Sequence, residues 1–165
     1  MKIASRLLLL ALLGGLGFWL WAVWFPNPEK VVLRRIASLA ATATVSASDG
    51  AIARATKVSN LIGYFSTDAV INYDIPVIGA RSLSGLDEIR ETAAGGFASV
   101  TSLKVRFQDA TARVGADQQS AEVSCTAQVS TGDSKDFGIQ ELRIQFKKTG
   151  GDWLITRAET VKTLQ

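Results

Sequence analysis

Residues 139–164 read IQELRIQFKKTGGDWLITRAETVKTL and determine more of the fold than any other stretch of the chain. Apolar residues recur there at every second position: Leu142, Ile144 and Phe146, then Trp153 and Ile155. This is the period of a β-strand with one buried face. Between the two runs lies TGGD at 149–152, a sequence typical of a hairpin turn. The segment therefore predicts a closing β-hairpin.

The same period of two marks two earlier strands. Their apolar positions are Leu103, Val105 and Phe107 in the first, and Ala121, Val123, Cys125, Ala127 and Val129 in the second. Polar residues fill the positions between them, so each strand has one apolar and one polar face. This pattern predicts an antiparallel sheet that is covered on one side and exposed to water on the other.

Before residue 66 the apolar period is three and four, which predicts two helices. Pro28 suits the first turn of the first helix, and Asp49 is predicted to cap the second. The predicted apolar faces are Val32, Ile36, Leu39, Ala40 and Ala43, then Ile52, Ala55, Val58, Ile62 and Phe65. Residues 66–68 are expected to end the second helix.

Two short strands, 69–75 and 79–83, and a third helix follow. Ser84 starts this helix with Asp87 in the third position, which resembles a capping box. Helices at the beginning of the domain and a four-stranded meander at its end predict an α+β fold.

Three stretches resemble the nuclear transport factor 2-like (SnoaL-like) superfamily. They are NLIGYFSTDAVINYD at 60–74, LSGLDEIRE at 83–91 and the closing hairpin. The resemblance covers 28–164 and is greatest to bacterial members with one N-terminal membrane anchor. It implies a cone-shaped fold in which three helices lie on a strongly curved antiparallel sheet around a pocket. It also implies a possible homodimer through the outer face of the sheet.

Residues 7–25, LLLLALLGGLGFWLWAVWF, form an uncharged run long enough to cross a bilayer as a helix. Trp19, Trp21 and Trp24 crowd its end, and tryptophan is favoured at the membrane–water interface. We therefore expect a basic tail at 1–6, a transmembrane signal anchor at 7–25 and one domain at 26–165. A cleaved signal peptide is the alternative, although the run is longer than usual and ends in the bulky residues Trp24 and Phe25, where a signal peptidase needs small side chains.

A short N-terminal tail rarely crosses the membrane ahead of a large domain. We therefore expect a single-pass protein of the inner (cytoplasmic) membrane with its domain outside the cytoplasm. The chain has 18 basic and 15 acidic residues. Two of the basic residues, Lys2 and Arg6, precede the apolar run, and all other charged residues follow it. The domain therefore has almost no net charge. Its basic residues are scattered, and we predict no nucleic-acid partner.

The chain has no histidine and one cysteine. This composition excludes Ser-His-Asp and Cys-His nucleophile systems, histidine-ligated zinc and a disulfide within the chain. The carboxylates are scattered along the sequence. We predict neither a metal site nor a cofactor.

The resemblance implies where the ketosteroid isomerase branch would hold its catalytic groups. The acidic base would fall at Tyr73, and the neutral carboxylic acid at Leu142; the oxyanion-binding tyrosine would lie on the first helix, which has none. Asp74 follows Tyr73 and should lie on the opposite strand face. The scytalone dehydratase-type and SnoaL-type sites use histidine. The sequence thus predicts no catalytic residue.

We expect the pocket of the cone to be lined by Tyr64, Tyr73, Phe107, Cys125, Leu142 and Trp153. The leading hypothesis is a membrane-anchored, non-catalytic domain that binds a small apolar ligand or a partner at the cell envelope. The first alternative is an enzyme of this fold acting on a small apolar substrate, with Tyr73, Asp74 and Arg157 converging. Arg157 and Glu159 are expected to share the face of Trp153.

The second alternative is an envelope assembly module. Its homodimer or hetero-complex would use the outer face of the sheet, through Glu141, Arg143, Gln145 and Thr156.

Overall fold

The structure is a computed structural model that describes residues 27–75, 79–132 and 138–161. The elements, in chain order, are α1 (Pro28–Ala43), α2 (Ala51–Ile62), β1 (Phe65–Ile75), β2 (Gly79–Ser84), α3 (Gly85–Ser99), β3 (Leu103–Val114), β4 (Ser120–Thr131), β5 (Gly138–Thr149) and β6 (Asp152–Thr160). Their order agrees with the order predicted from the sequence.

The strands form one sheet in the order β2-β1-β6-β5-β4-β3. Strands β3 to β6 make the predicted antiparallel meander. The turn between β5 and β6 has positive φ angles at Gly150 and Gly151, 61° and 98°. Strand β1, however, pairs with β6 in parallel, so the sheet is mixed and the prediction of a wholly antiparallel sheet is wrong. Alternation within a strand reports its faces and carries no information about the direction of its neighbour.

The helices bury one face of this sheet. Val32 and Ile36 of α1 are almost completely inaccessible to solvent and pack against Phe146, Trp153 and other residues of β4 to β6. The predicted apolar stripe of α1 is therefore confirmed. A smaller cluster joins α3 to β1 through Ile89 and Ala69.

The boundary between α2 and β1 differs from the prediction. Helix α2 ends at Ile62, and Phe65 begins β1 rather than extending the helix. The N–H of Ile155 in β6 donates to the carbonyl of Tyr64 (2.8 Å), so pairing with a distant strand draws this segment out of the helix. At the other end of α2, Ile52 is 85% exposed and does not belong to a buried face.

Asp49 does not cap α2 as predicted. Gly50 occupies the N-cap position and makes no side-chain capping bond. The Asp49 carboxylate instead accepts from the Lys57 ammonium and from the backbone N–H of Ser46 (2.7 Å). These two contacts lower the pKa of Asp49 below its ordinary value. Lys57 also donates to the carbonyl of Thr44 (2.8 Å), so the pair closes the loop between α1 and α2.

Ser84 is the N-cap residue of α3, as predicted, but without a bond from its own side chain. Its backbone N–H donates to the Glu88 carboxylate at 2.7 Å. The carboxylate half of the capping arrangement is therefore supplied by Glu88, and Asp87 pairs with Arg90 on the surface instead.

A β-bulge changes the faces of β6. Phe146 pairs with Ile155 and Gln145 with Arg157, which leaves Thr156 as one extra residue. The alternation shifts by one at this point. Arg157 and Glu159 consequently lie on the outer face of the sheet, and the prediction that they share the face of Trp153 is wrong.

Within the described part of the chain, no helix is long and apolar enough to cross a membrane. The predicted transmembrane segment at 7–25, with Trp19, Trp21 and Trp24, lies outside the described residues.

Candidate functional site: an apolar groove between α1 and β3

An apolar groove of about 470 Å³ runs between α1 and β3, and we call it the α1–β3 groove. It is lined by Leu33, Ile36, Ala37 and Ala40 of α1 and by Val105, Arg106, Phe107, Gln108 and Ala110 of β3. This volume lies within the usual range for small-molecule sites. Seven of these nine lining residues are apolar.

The lining follows from the two periods of the sequence. Ile36 and Ala40 belong to the buried stripe of α1, while Leu33 and Ala37 lie one turn apart beside that stripe and are less buried. Small side chains at 37 and 40 keep the helix from filling the space above β3. The groove therefore exists because the apolar face of α1 is wider than the part that the core covers.

The electrostatics of the groove are simple. Among the described residues in its lining, Arg106 is the one charged side chain, and its guanidinium can donate hydrogen bonds but accept none. Gln108 adds one neutral amide. This lining can bind apolar surface and orient an anionic group, but it offers no general base.

Five of the six predicted pocket residues, all except Tyr73, lie in or beside the main core cluster. Phe107 lines the α1–β3 groove and also packs against the core. Cys125 and Trp153 are buried in that core, at 5% and 4% exposure. Burial raises the pKa of the Cys125 thiol to about 11, so the thiol stays neutral. Cys125 and Trp153 therefore face packed side chains rather than the groove.

Tyr64 lies at the edge of the same core. The guanidinium carbon of Arg35 lies 4.5 Å from the centroid of its ring, a cation–π contact. Its hydroxyl is 3.3 Å from Oγ1 of Thr42, and Arg35 also donates to the carbonyl of Gly63 (3.1 Å). These contacts hold the turn before β1 against α1.

Leu142 and Tyr73 border two other depressions. Leu142 pairs with Cys125 across β5 and β4, beside a depression of about 260 Å³. Tyr73 pairs with Arg81 and borders a polar cleft of about 470 Å³ at the β2 side of the sheet, together with Asp74 and Glu159. The structure thus distributes the predicted residues over the core, the groove and two separate depressions.

The residues proposed for a catalytic alternative are also separated. Arg157 pairs with Val70 on β1, three residues before Tyr73, and forms an ion pair with Glu159 (3.8 Å). The backbone N–H of Asp74 donates to Oγ1 of Thr160 (3.0 Å). Asp74 and Tyr73 are neighbours on β1, and both border the cleft at the β2 side of the sheet.

Another depression, of about 550 Å³, lies beside the β3–β4 turn and is lined mainly by polar residues. Its lining includes basic residues, Arg113 and Lys147, and acidic residues, Asp117 and Glu122. The Asp117 carboxylate already accepts from the N–H groups of the turn, which lowers its pKa. The mixed charges and satisfied polar groups make this depression a weaker binding site than the groove.

The side chains that could bind a metal ion are dispersed over the described part of the chain. In the stretches 27–75, 79–132 and 138–161, no three histidine, cysteine, aspartate or glutamate residues are grouped so that they could hold an ion.

The sequence reasoning missed most of the groove. It named Phe107 and placed Ile36 and Ala40 in the core stripe, but it did not single out Leu33, Ala37 or Ala110. The available signal was an apolar face of α1 that extends beyond a single stripe at positions 33 and 37.

Comparison with known proteins identifies the fold. No family model matches the sequence, and no curated protein matches it. Among solved structures, the chain is similar to a nuclear transport factor 2-like protein of unknown function from Pseudomonas putida. That match has a TM-score of 0.65 and 13% identity, and it covers 83% of this chain and 87% of the other.

Two further structures show the same architecture. A candidate scytalone dehydratase from Novosphingobium aromaticivorans has a TM-score of 0.60 and 14% identity, covering 82% of this chain and 83% of its own. Aln2 from a Streptomyces species has a TM-score of 0.59 and 15% identity, covering 84% and 94%. The chain therefore has the nuclear transport factor 2-like fold.

Proposed function

We propose that this chain is a membrane-anchored, non-catalytic binding domain of the cell envelope. In this proposal the α1–β3 groove takes up a small apolar ligand or an apolar part of a partner. The observation that carries the proposal is the lining of the groove, which is apolar except for Arg106 and Gln108. Burial of apolar surface supplies the affinity, at roughly 25 cal/mol per Å².

The positions of the chemical groups support binding rather than catalysis. Tyr73 and Leu142 stand where the resemblance implies a base and an acid, and neither borders the groove. The side chain of leucine cannot donate a hydrogen bond, and a phenol is a poor substitute for a carboxylate as a general base. An apolar substrate in the groove would meet an arginine and an amide, neither of which can accept its proton.

Binding is tested by equilibrium dialysis of 2-naphthol against the full chain in phosphatidylcholine nanodiscs, with empty nanodiscs as the background. We expect one saturable site per chain. Ala37→Trp fills the groove and should weaken this binding at least tenfold. Ala94→Trp, at an exposed alanine of α3, is the matched control and should bind as the unmodified chain does.

Two results would overturn the proposal. One is equal naphthol binding by Ala37→Trp and the unmodified chain. The other is turnover of an isomerase, dehydratase or epoxide substrate at a rate abolished by Tyr73→Phe or Asp74→Asn, which would favour the enzymatic alternative.

The membrane location is a separate part of the proposal. The uncharged run at 7–25 ends three residues before Pro28, where α1 begins, so the domain would lie close to the membrane surface. Alkaline carbonate extraction should leave the full chain in the membrane fraction, and deletion of 7–25 should release it. A chain that carbonate releases intact would contradict the anchor.

A further inference from the structure

One edge of β3 borders the α1–β3 groove and, among the described residues, has no strand paired with it beyond Leu103. Strand β3 is the last strand of the sheet, and β4 is its neighbour on the other side. Its contribution to the lining is the continuous run 105–108, which takes residues from both faces of the strand. No residue of β4 lines the groove, so it lies on the side of β3 that faces away from β4.

Among the described residues, only the beginning of β3 has hydrogen-bond partners on this edge. The N–H and C=O of Leu103 both pair with Val45, at 2.8 and 2.7 Å. The N–H of Val105 donates to Oγ1 of Thr44 (3.3 Å). In an antiparallel pair the direction of these groups alternates, so the C=O of Val105 and both backbone groups of Phe107 also point away from β4. Within the part of the chain that the structure describes, nothing further pairs with them.

The two sides of this edge differ in chemistry. On the helix side lie the apolar residues Leu33 and Ala37. On the outer face of the sheet, Lys104 and Arg106 are exposed, and neither forms an ion pair among the described residues. A strand beside β3 would place alternate side chains on these two sides.

We propose that β3 binds an extended peptide segment of a partner protein, in which apolar and acidic residues alternate. The segment adds to the sheet as a seventh strand and pairs with the backbone of Val105 and Phe107. Its apolar side chains enter the groove against Leu33 and Ala37. Its acidic side chains lie beside Lys104 and Arg106. This inference rests on the proposed function and specifies the kind of partner that the groove takes.

The probe is a fluorescein-labelled hexapeptide of alternating valine and glutamate, added to the full chain in phosphatidylcholine nanodiscs and followed by fluorescence anisotropy. We expect saturable binding. A control peptide has the same side chains but is N-methylated on the alternate amides that would face β3. It should bind at least tenfold more weakly, because its backbone donors are lost.

Reversing the charge at residue 106 tests whether the acidic side chains of the peptide lie beside Lys104 and Arg106. Arg106→Glu should weaken binding of the valine–glutamate peptide and strengthen binding of a valine–lysine peptide. A variant that merely misfolds cannot produce this reversal. Lys148→Glu, an exposed residue at the far end of β5, is the control and should leave both affinities unchanged.

Equal binding of the N-methylated and unmodified peptides would overturn the inference. So would the absence of peptide binding in a chain that still binds 2-naphthol, and in that case the proposed function stands. Peptide binding without naphthol binding would support the inference and contradict a small-ligand site.

Discussion

The guanidinium of Arg54 in α2 donates a hydrogen bond to the carbonyl oxygen of Phe97 in α3. The same side chain donates to the carbonyls of Val100 (2.8 Å) and Thr101 (3.1 Å), and its Nε donates to the carbonyl of Asp49 (3.0 Å). Helix α3 has no basic residue in its own last turn, and helix C-termini leave carbonyl groups unsatisfied. Arg54 therefore supplies the C-terminal cap of α3 from a neighbouring helix.

We expect Arg54→Met to lower the free energy of unfolding by about 2–3 kcal/mol, because the carbonyls lose a charged donor while the apolar stem is retained. Denaturant unfolding measures this. Arg90→Met is the matched control, since Arg90 forms only an exposed ion pair with Asp87, and it should cost less than about 0.5 kcal/mol. Equal losses in the two variants would show that Arg54 does not cap α3.

Cys125 should be almost unreactive in the folded chain. Burial raises the pKa of its thiol from 9.0 to about 11, which reduces the thiolate fraction at pH 8 by roughly a hundredfold, and the side chain is shielded as well. Labelling with Ellman's reagent should be slow until denaturant is added. Rapid labelling of the native chain would show that the core opens readily at β4.

The same shift has a consequence for stability at high pH. A raised pKa in the folded state favours the protonated thiol, so its contribution to stability is complete below pH 9 and is lost as the pH rises towards 11. Cys125→Ala should remove this part of the alkaline dependence. The free energy of unfolding of both chains, measured from pH 8 to 11, tests the sign.

Asp49 should contribute to the acid dependence of stability. Its pKa is lowered by Lys57 first and by the Ser46 N–H second, so the carboxylate stabilises the fold above its unfolded pKa of 3.8. That contribution is lost as the pH falls from about 5 through the folded pKa. Asp49→Asn should therefore flatten the acid side of the stability curve. An acid side of the curve that is the same in Asp49→Asn and the unmodified chain would contradict this role of the carboxylate.

Two glycines should respond to alanine in opposite directions. Gly151 has a φ of 98° in the β5–β6 turn, where an alanine is strained, and Gly151→Ala should cost about 1–2 kcal/mol. Gly95 lies inside α3 with open space around its Cα, and Gly95→Ala should add about 0.5–1 kcal/mol. Thermal unfolding of both variants tests this, and a loss at Gly95 would contradict the exposed placement of that helix position.

Much of the fold is predictable because it depends on local periodicity. The stripe of α1 and the alternation in β4 and β5 each describe one element facing one core, and the structure buries Val32, Ile36, Val123 and Ile144 as expected. The turn at Gly150 and Gly151 is also local, since only glycine adopts these φ angles easily.

The failures have a different physical origin. Thr156 adds one residue to β6, and this single bulge moves Arg157 and Glu159 to the opposite face. Phe65 leaves the predicted helix because β1 pairs with β6. Bulges and parallel pairings depend on a partner strand that lies far away in sequence, and the local pattern does not contain that partner.

By itself, the sequence determined the α+β order and excluded histidine chemistry within this chain, because these follow from local periods and composition. Only the tertiary structure decided where a ligand can bind. Cys125 and Trp153 are packed into the core, while Leu33 and Ala37 border open space beside Phe107. An apolar residue carries the same signal whether it fills a core or lines a groove, and the distance between α1 and β3 decides which it does.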